Sequence, residues 1–486
     1  MAMHDDGGRG ATRHHGGSGD PYSARRAKAE EEHHAKTLWV YWSILLLGVW
    51  TMLAPVTFGY GTGVVVPSGG REVWLSLPTR VAITQWNDVL CGAALAFLGW
   101  RALKPHRPVS LWLACAVGIW MSIAPVLFWA PTAAAYANDT LVGMLVIALS
   151  ILVPGMPHMS MFMKHGGAVP PGWTYNPSSW PQRSIMIGLG FLGFVVSRYL
   201  TAYQMGYIAT VWDPFFGAQS EAVLDSEMSH MWPISDAALG TFAYTLEFLM
   251  GFMGGPARWR TMPWMVTFYG ILVIPLGLVH ILLVISQPVV VGAWCTFCLL
   301  AAAIMLPMLP LEGDEVIAMA QHMRRAHRRG ESLWKVFWKG GDPEGATEDE
   351  RTPELGELPE QPKEVGRSSL WGMSTPWTLV ACAAVGIAAM AMPSVLGITA
   401  PASSVFQLAG ALVVTFAVIA MGEVFRAARV LCVLLAAAIA IAPWWLDGAE
   451  LGARIAGVIL GVAAALLAIP RGPKRERYGA WDRLVR

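Results

Sequence analysis

The chain has 486 residues, 55% of them hydrophobic and only 14% charged, and its formal net charge is +1. A soluble domain carries about 25% charge, so this composition excludes a water-soluble globular protein and dissolves most of the chain in lipid. The near-neutral balance gives no reason to expect nucleic acid as a partner.

In chain order, residues 1–36 come first, rich in Gly, His, Arg and Glu without an apolar core. They read as a disordered cytoplasmic arm with no cleavable signal. His14, His15, His33 and His34 belong to that solvated tail, and no metal is expected here or elsewhere. Apolar runs of about 20 residues then predict twelve spans, near 39–58, 84–102, 109–129, 137–155, 184–205, 237–255, 263–285, 289–310, 375–398, 403–423, 428–446 and 451–470. Between the eighth and ninth, 313–339 mixes Arg324, Arg325, Arg328 and Arg329 with Trp334, Phe337 and Trp338, which suits a basic helix on the inner leaflet. Residues 341–370, with Pro343, Glu344, Glu348, Asp349 and Glu350, read as an acidic linker. Residues 471–486 form a basic tail.

Basic residues mark alternate connections: Lys104 and Arg107, Arg258 and Arg260, Arg426 and Arg429. The opposite connections hold only Arg71 and Arg80. By the excess of Lys and Arg on the cytoplasmic side, both termini are expected inside. The expected fold is all-α, a polytopic membrane protein of about 12 transmembrane helices around a central four-helix bundle.

The flanks repeat. Gly48-Val49-Trp50 leads to Ala54-Pro55-Val56, and Gly118-Ile119-Trp120 leads to Ala124-Pro125-Val126 at the same spacing. The following helices carry Asn87-Asp88 with Gly92, then Asn138-Asp139 with Gly143. Gly386 to Pro393 and Ala442-Pro443-Trp444 give weaker copies, with Gln407 where Asn stood. Each unit reads as a helical hairpin whose first helix ends at Pro, whose second begins at a capping Asn or Asp, and whose glycines allow close approach. These units resemble the SPW repeat family, at 37–156 (four spans) and again at 375–470 (four spans); that family implies a scaffold of undefined chemistry.

The middle block, 180–312, holds what chemistry there is. Cys295 and Cys298, in Trp294-Cys295-Thr296-Phe297-Cys298, are the one pair spaced for redox work; Cys91, Cys115, Cys382 and Cys432 stand singly in separate segments. Positions i and i+3 share a helix face, so the pair can close a disulfide with a small adjustment, on the side where disulfides persist. The second span of the block sets Asp236, Gly240, Tyr244, Glu247 and Gly251 on one stripe. Ionisable groups inside a span face a cavity or a partner. Asp236 reads as a polar anchor or a helix N-cap, Glu247 with Arg198 as an intramembrane pair, and His280 as a packing residue or proton relay. Trp212, Trp232 and Trp294 suit interfacial anchors or a lid.

Val223-Leu224-x-Ser226, then Asp236-x-x-Leu239-Gly240 with Tyr244-Thr245-Leu246, then a Cys-x-x-Cys opening the fourth span, resemble vitamin K epoxide reductase and its bacterial homologues. The resemblance covers about 125 residues. It implies a bacterial inner-membrane enzyme in which Cys298 contacts a quinone of menaquinone type and Cys295 is the outer cysteine, near the external face. It further implies that Asp236 hydrogen-bonds a quinone oxygen, that Tyr244 assists, and that Ser226 ends the loop helix covering the pocket. Thioredoxin-like or other external dithiol proteins are the implied partners. Two departures matter. Loop 206–236 lacks the relay cysteine pair of the family, with Ser220 where the nearer would stand, and Ala302 replaces a quinone-binding tyrosine. The expected function is a quinone-linked thiol–disulfide oxidoreductase. A catalytically impaired quinone-binding scaffold and a twelve-span transporter are the alternatives, the second opposed by the lack of two matching halves.

Overall fold

The computed structural model describes residues 31–32, 34–105, 107–153, 167–342, 344–352 and 362–485. Most of the N-terminal arm with His14, His15 and His33, and parts of the 156–183 connection and of the acidic linker, lie outside them. Residues 31–32 and 34–36, expected in the disordered arm, are helical, and His34 stacks on Tyr41 and bonds the Leu103 carbonyl at 3.1 Å.

The first block is α1 (Leu38–Phe58), α2 (Leu77–Ala102), α3 (Pro108–Leu127) and α4 (Ala133–Leu152). The middle block follows: α5 (Trp180–Gln204), the short α6 (Gln219–Leu224), α7 (Asp236–Phe252), the single turn α8 (Arg258–Thr261), α9 (Pro263–Ser286) and α10 (Thr296–Arg328). Two short helices, α11 (Leu333–Lys339) and α12 (Pro362–Ser369), lead to α13 (Trp377–Leu396), α14 (Ala402–Met421), α15 (Arg429–Ile441) and α16 (Leu451–Ala468). Among the described residues there is no strand, only isolated bridges such as Val169 with Thr347. Among the described residues eleven helical stretches are long and apolar enough to cross a membrane. The twelfth expected span, α7, has 17 residues and packs among them. The protein is an all-α, multi-pass membrane protein.

The repeat signature explains the first block. A Cβ at Gly48 would lie 2.6 Å from the Gly92 carbonyl, and one at Gly143 would lie 2.6 Å from that of Gly118, so each hairpin closes backbone to backbone. The Trp50 indole donates to Asn138 at 2.8 Å and Trp120 to Asn87 at 2.7 Å. Each hairpin's tryptophan thus bonds the other hairpin's asparagine. Asp88 accepts the Tyr60 hydroxyl at 2.6 Å. The asparagines therefore tie hairpins together inside their helices instead of capping them; Thr132 caps α4. Nor do the prolines end the first helices: α1 and α3 run past Pro55 and Pro125 to Phe58 and Leu127, each proline giving up its own N–H bond to the ladder while the following turn still forms. Gly386 and Gly410 repeat the close contact in the last block.

The expected leaflet helix is a different element. Residues 313–328 continue α10, whose Asp314, Glu315, Gln321 and His322 are buried. They are covered by the segment before α5 and by residues near 478, so burial inside protein replaces contact with lipid; within 313–339 the exposed tryptophan is Trp334 of α11. The tail is tied in as well. Tyr478 lies edge-on to Trp173 at 5.1 Å and gives its hydroxyl to Glu423 at 3.0 Å. Arg351 forks Glu476 at 2.8 and 2.9 Å. Thr347 and Arg351 of the acidic linker are likewise bound to the body of the protein.

Candidate redox site

The fourth helix of the middle block begins later than its apolar run. Residues 287–291 finish α9 as a wide turn, Gly292 takes a left-handed conformation, and α10 starts at Thr296. Cys295 is therefore the N-cap and not a residue of the first turns. Its Sγ accepts the Cys298 N–H at 3.2 Å, as a Ser or Asp oxygen does at this position. Both cysteines are unbonded thiols; Cys295 is fully buried and Cys298 partly so. Just outside the span, Cys295 is held below the usual thiol range. Hydrogen bonding from Cys298 is the chief cause; burial opposes it, and Ser220 and the Cys298 N–H assist. A depressed thiol offers more thiolate, the reactive form.

The loop before α7 lies over this pair. Asp213 accepts the Thr296 N–H at 3.0 Å and its hydroxyl at 2.6 Å, as well as the Phe215 and Phe216 amides and the Ser220 hydroxyl. Burial raises its carboxyl, but the bonds from Phe216, Ser220 and Thr296 win and hold it well below the usual carboxylate range. Gln219 accepts the Trp294 N–H at 3.1 Å, and Phe216 stacks on Trp294. Ser220 is fully buried, gives its hydroxyl to Asp213, and acts on the Cys295 thiol from the loop side. From beneath, Gln287 accepts the Cys295 N–H at 2.9 Å.

Of the residues expected around a quinone, Asp236 opens α7 as its first helical residue, with Ser235 as the N-cap. Its Oδ1 accepts from Gln204 at 2.7 Å and from Ser229 at 3.2 Å. Among the described residues no hydrogen bond reaches Oδ2. Asp236 interacts electrostatically with Cys298 and with His280. Tyr244 brings its hydroxyl to 3.2 Å from His280 Nε2 and donates to the Ala301 carbonyl at 3.1 Å, one turn from Cys298. Ser226 lies two residues past the loop helix α6, where its hydroxyl donates to the Val223 carbonyl at 2.7 Å and closes a turn. Trp212 and Trp232 are exposed, whereas Trp294 is packed under the loop.

The pair Glu247–Arg198 does not form. Arg198 bonds Thr140 of α4 at 3.1 Å and covers the Tyr136 ring, while both Glu247 oxygens are buried with no partner among the described residues. A helical stripe fixes the face of its own helix only; the neighbouring hairpin claimed the arginine. Cys382 and Cys432, read as standing singly, interact with each other from α13 and α15, while their thiols donate to the Ala464 and Val413 carbonyls. Sequence reasoning also missed Asp213, Gln204, Gln287 and Arg71. Arg71, in the first block, donates to three carbonyls of the loop, Ser229, Trp232 and Ile234. Polar residues in an otherwise apolar or aromatic stretch were the available signal. Among the described residues no three His, Cys, Asp or Glu side chains converge on a metal-sized centre.

A dithiol at the head of a four-helix block, over an acid, a tyrosine and a histidine, agrees with what comparison finds. Residues 184–312 match the Vitamin K epoxide reductase family model. Residues 71–153 match that of the SPW repeat domain. No curated protein and no solved structure matches the chain. Both resemblances read from the motifs are thus borne out, the SPW match covering part of the first flank. The vitamin K epoxide reductase-like block points to thiol–disulfide and quinone-related oxidoreductase chemistry within a multi-pass membrane protein.

Proposed function

We propose that the protein is a membrane thiol–disulfide oxidoreductase that couples oxidation of external protein thiols to reduction of a membrane quinone through Cys295 and Cys298. The observation that carries the reading is the Cys298 N–H bonded to the Cys295 sulfur at 3.2 Å, one helical turn from the Ala301 carbonyl that Tyr244 bonds. Closing the pair needs only a change of side-chain torsion and a slight local shift.

In the oxidised state Cys295 receives the thiolate of a dithiol partner; the Cys295–Cys298 bond breaks and Cys298 leaves with the electron pair. The partner's second thiol resolves the mixed disulfide and leaves Cys295 and Cys298 reduced. Quinone, when bound, supplies a two-electron, two-proton acceptor. Cys298, Asp236 and Tyr244 would hold it, the last two as hydrogen-bond partners for oxygens that gather negative charge, while giving up two electrons would rejoin Cys295 and Cys298 as a disulfide. The residues fit such a group: Asp236 keeps one oxygen unclaimed, and Tyr244 and His280 share a proton position one turn from Cys298.

Ser220 in place of a relay cysteine means that the donor must reach Cys295 itself, so the loop held by Asp213 has to lift. The same burial supports a second reading, a quinone-binding scaffold that no longer turns over. Purified protein given a reduced thioredoxin-like protein and a menaquinone analogue should produce quinol, and Cys298→Ala should produce none. Equal turnover in that variant overturns the reading, and wild-type protein without any turnover leaves the scaffold.

A further inference from the structure

Beyond Tyr244, towards the face with the basic connections, the middle block buries ionisable groups that the thiol chemistry does not use. Glu247 comes one turn after Tyr244 on α7, is fully buried, and has neither oxygen paired among the described residues. As an ion it would be very costly there; as a neutral acid it holds a transferable proton. The Tyr269 hydroxyl of α9 and Glu312 Oε1 of α10 are likewise buried without a partner among the described residues. Glu247 interacts electrostatically with both, and with Tyr244.

The row continues at both ends. Arg258 covers the Tyr269 ring at 5.5 Å and grips Glu315 through two bonds of 2.6 Å, and Glu315 also accepts the Ser178 hydroxyl. Arg183, the cation facing this row from α5, is committed to the Gly251 and Met253 carbonyls. At the other end, Tyr244 stands between His280 and the Ala301 carbonyl. His280 donates from Nδ1 to the Leu276 carbonyl, so Nε2 of a neutral ring is an acceptor and the one Tyr244 proton alternates between it and the Ala301 carbonyl. Along α10 the stretch from Cys298 to Glu315 rises about 25 Å, most of a hydrocarbon core of about 30 Å.

We infer that Tyr244, Glu247, Tyr269 and Glu312 form a proton-entry route that brings the protons taken up on quinone reduction from the face opposite Cys295. The inference rests on the function proposed above. Oxidising a partner dithiol releases two electrons and two protons on the Cys295 side. Converting both quinone carbonyls to hydroxyls consumes two electrons, delivered by Cys298, and two protons, delivered through Glu247 and Tyr244. Each turnover then moves charge across the membrane, a function separate from thiol oxidation.

The test uses the full chain in proteoliposomes with a menaquinone analogue, a trapped pH dye and added reduced thioredoxin, which cannot enter. Quinol formation should make the lumen alkaline by about two protons per quinol. Glu247→Gln should abolish the alkalinisation and slow quinol formation at least about tenfold, while thioredoxin still reduces Cys295 and Cys298 at the wild-type rate, read by alkylation. Glu247→Asp, which keeps an exchangeable proton, should restore much of both signals, and Tyr269→Phe should weaken them. Quinol formed with no lumenal pH change, or unaltered alkalinisation in Glu247→Gln, overturns this inference alone. Wild-type protein that forms no quinol overturns it together with the proposed function.

Discussion

Asp213 accepts both the amide and the hydroxyl of Thr296, so the turn that carries the two cysteines is held by a side chain 83 residues earlier. A carboxyl held below its ordinary value adds stability in full above that value, about 3.9, and gives it up as pH falls through the depressed folded value. Below about pH 4 the wild type should therefore lose stability that Asp213→Asn never had. Above that, the variant should be weaker by about 1 kcal/mol, after discounting for this partly exposed loop. Thermal melts in micelles across pH 3–7 check both halves. Ser220 gives a second residue-scale expectation. Because Asp213 holds both Ser220 and Thr296, the residue after Cys295, Ser220→Cys should form a disulfide to Cys295 under mild oxidation, seen as a cross-linked peptide in mass spectrometry. An introduced thiol that stays fully alkylatable would show that the loop does not rest where it is described. The family resemblance singles out Ser220, but the Asp213 anchor was not legible beforehand. Asp213, Gln204 and Gln287 are polar residues in loops or at helix ends, and their partners lie far along the chain, where periodicity carries no information. The two cysteines and Asp236 were legible because spacing along one helix end is local.

At the scale of elements, the paired glycines and the Trp–Asn bonds account for a motif that sequence could only count. Gly92→Val would push a side chain into the Gly48 carbonyl and the Met52 amide, 2.6 and 2.7 Å from its Cβ. Overpacking of this kind costs about 2 kcal/mol, whereas Gly61→Ala, with nothing nearby, should be nearly neutral; melting temperatures of the two variants decide. The hairpins and the stripe on α7 were readable from their repeats. The start of α10 was not, because the apolar run continues through the wide turn at 287–291, and hydropathy registers composition without seeing where the hydrogen-bond ladder breaks.

For the whole molecule, the flanking hairpins are coupled to the middle block through named bonds. Arg71 holds three loop carbonyls, Ser68 donates to Asp225, and Trp129 donates to Pro233. Arg71→Met should cost about 2 kcal/mol from these lost bonds and expose residues 226–234 to protease while α1–α4 stay protected. Equal cleavage of both proteins would remove the coupling. That one flank steadies the loop over Cys295 could not be read from domain boundaries, since each boundary was drawn where the composition changes and not where contacts end.

Tyr478 also bears on how the protein is made. Its ring packs against Trp173 and its hydroxyl closes on Glu423, so the floor of the central bundle is completed by residues translated some three hundred positions after that bundle begins. The helices α1 to α16 all precede Tyr478 in the chain, so they can insert before that floor seals. Until Tyr478 arrives, Trp173 and Glu423 lack their shared lid, and the central core closes only once a segment beyond α16 has been made.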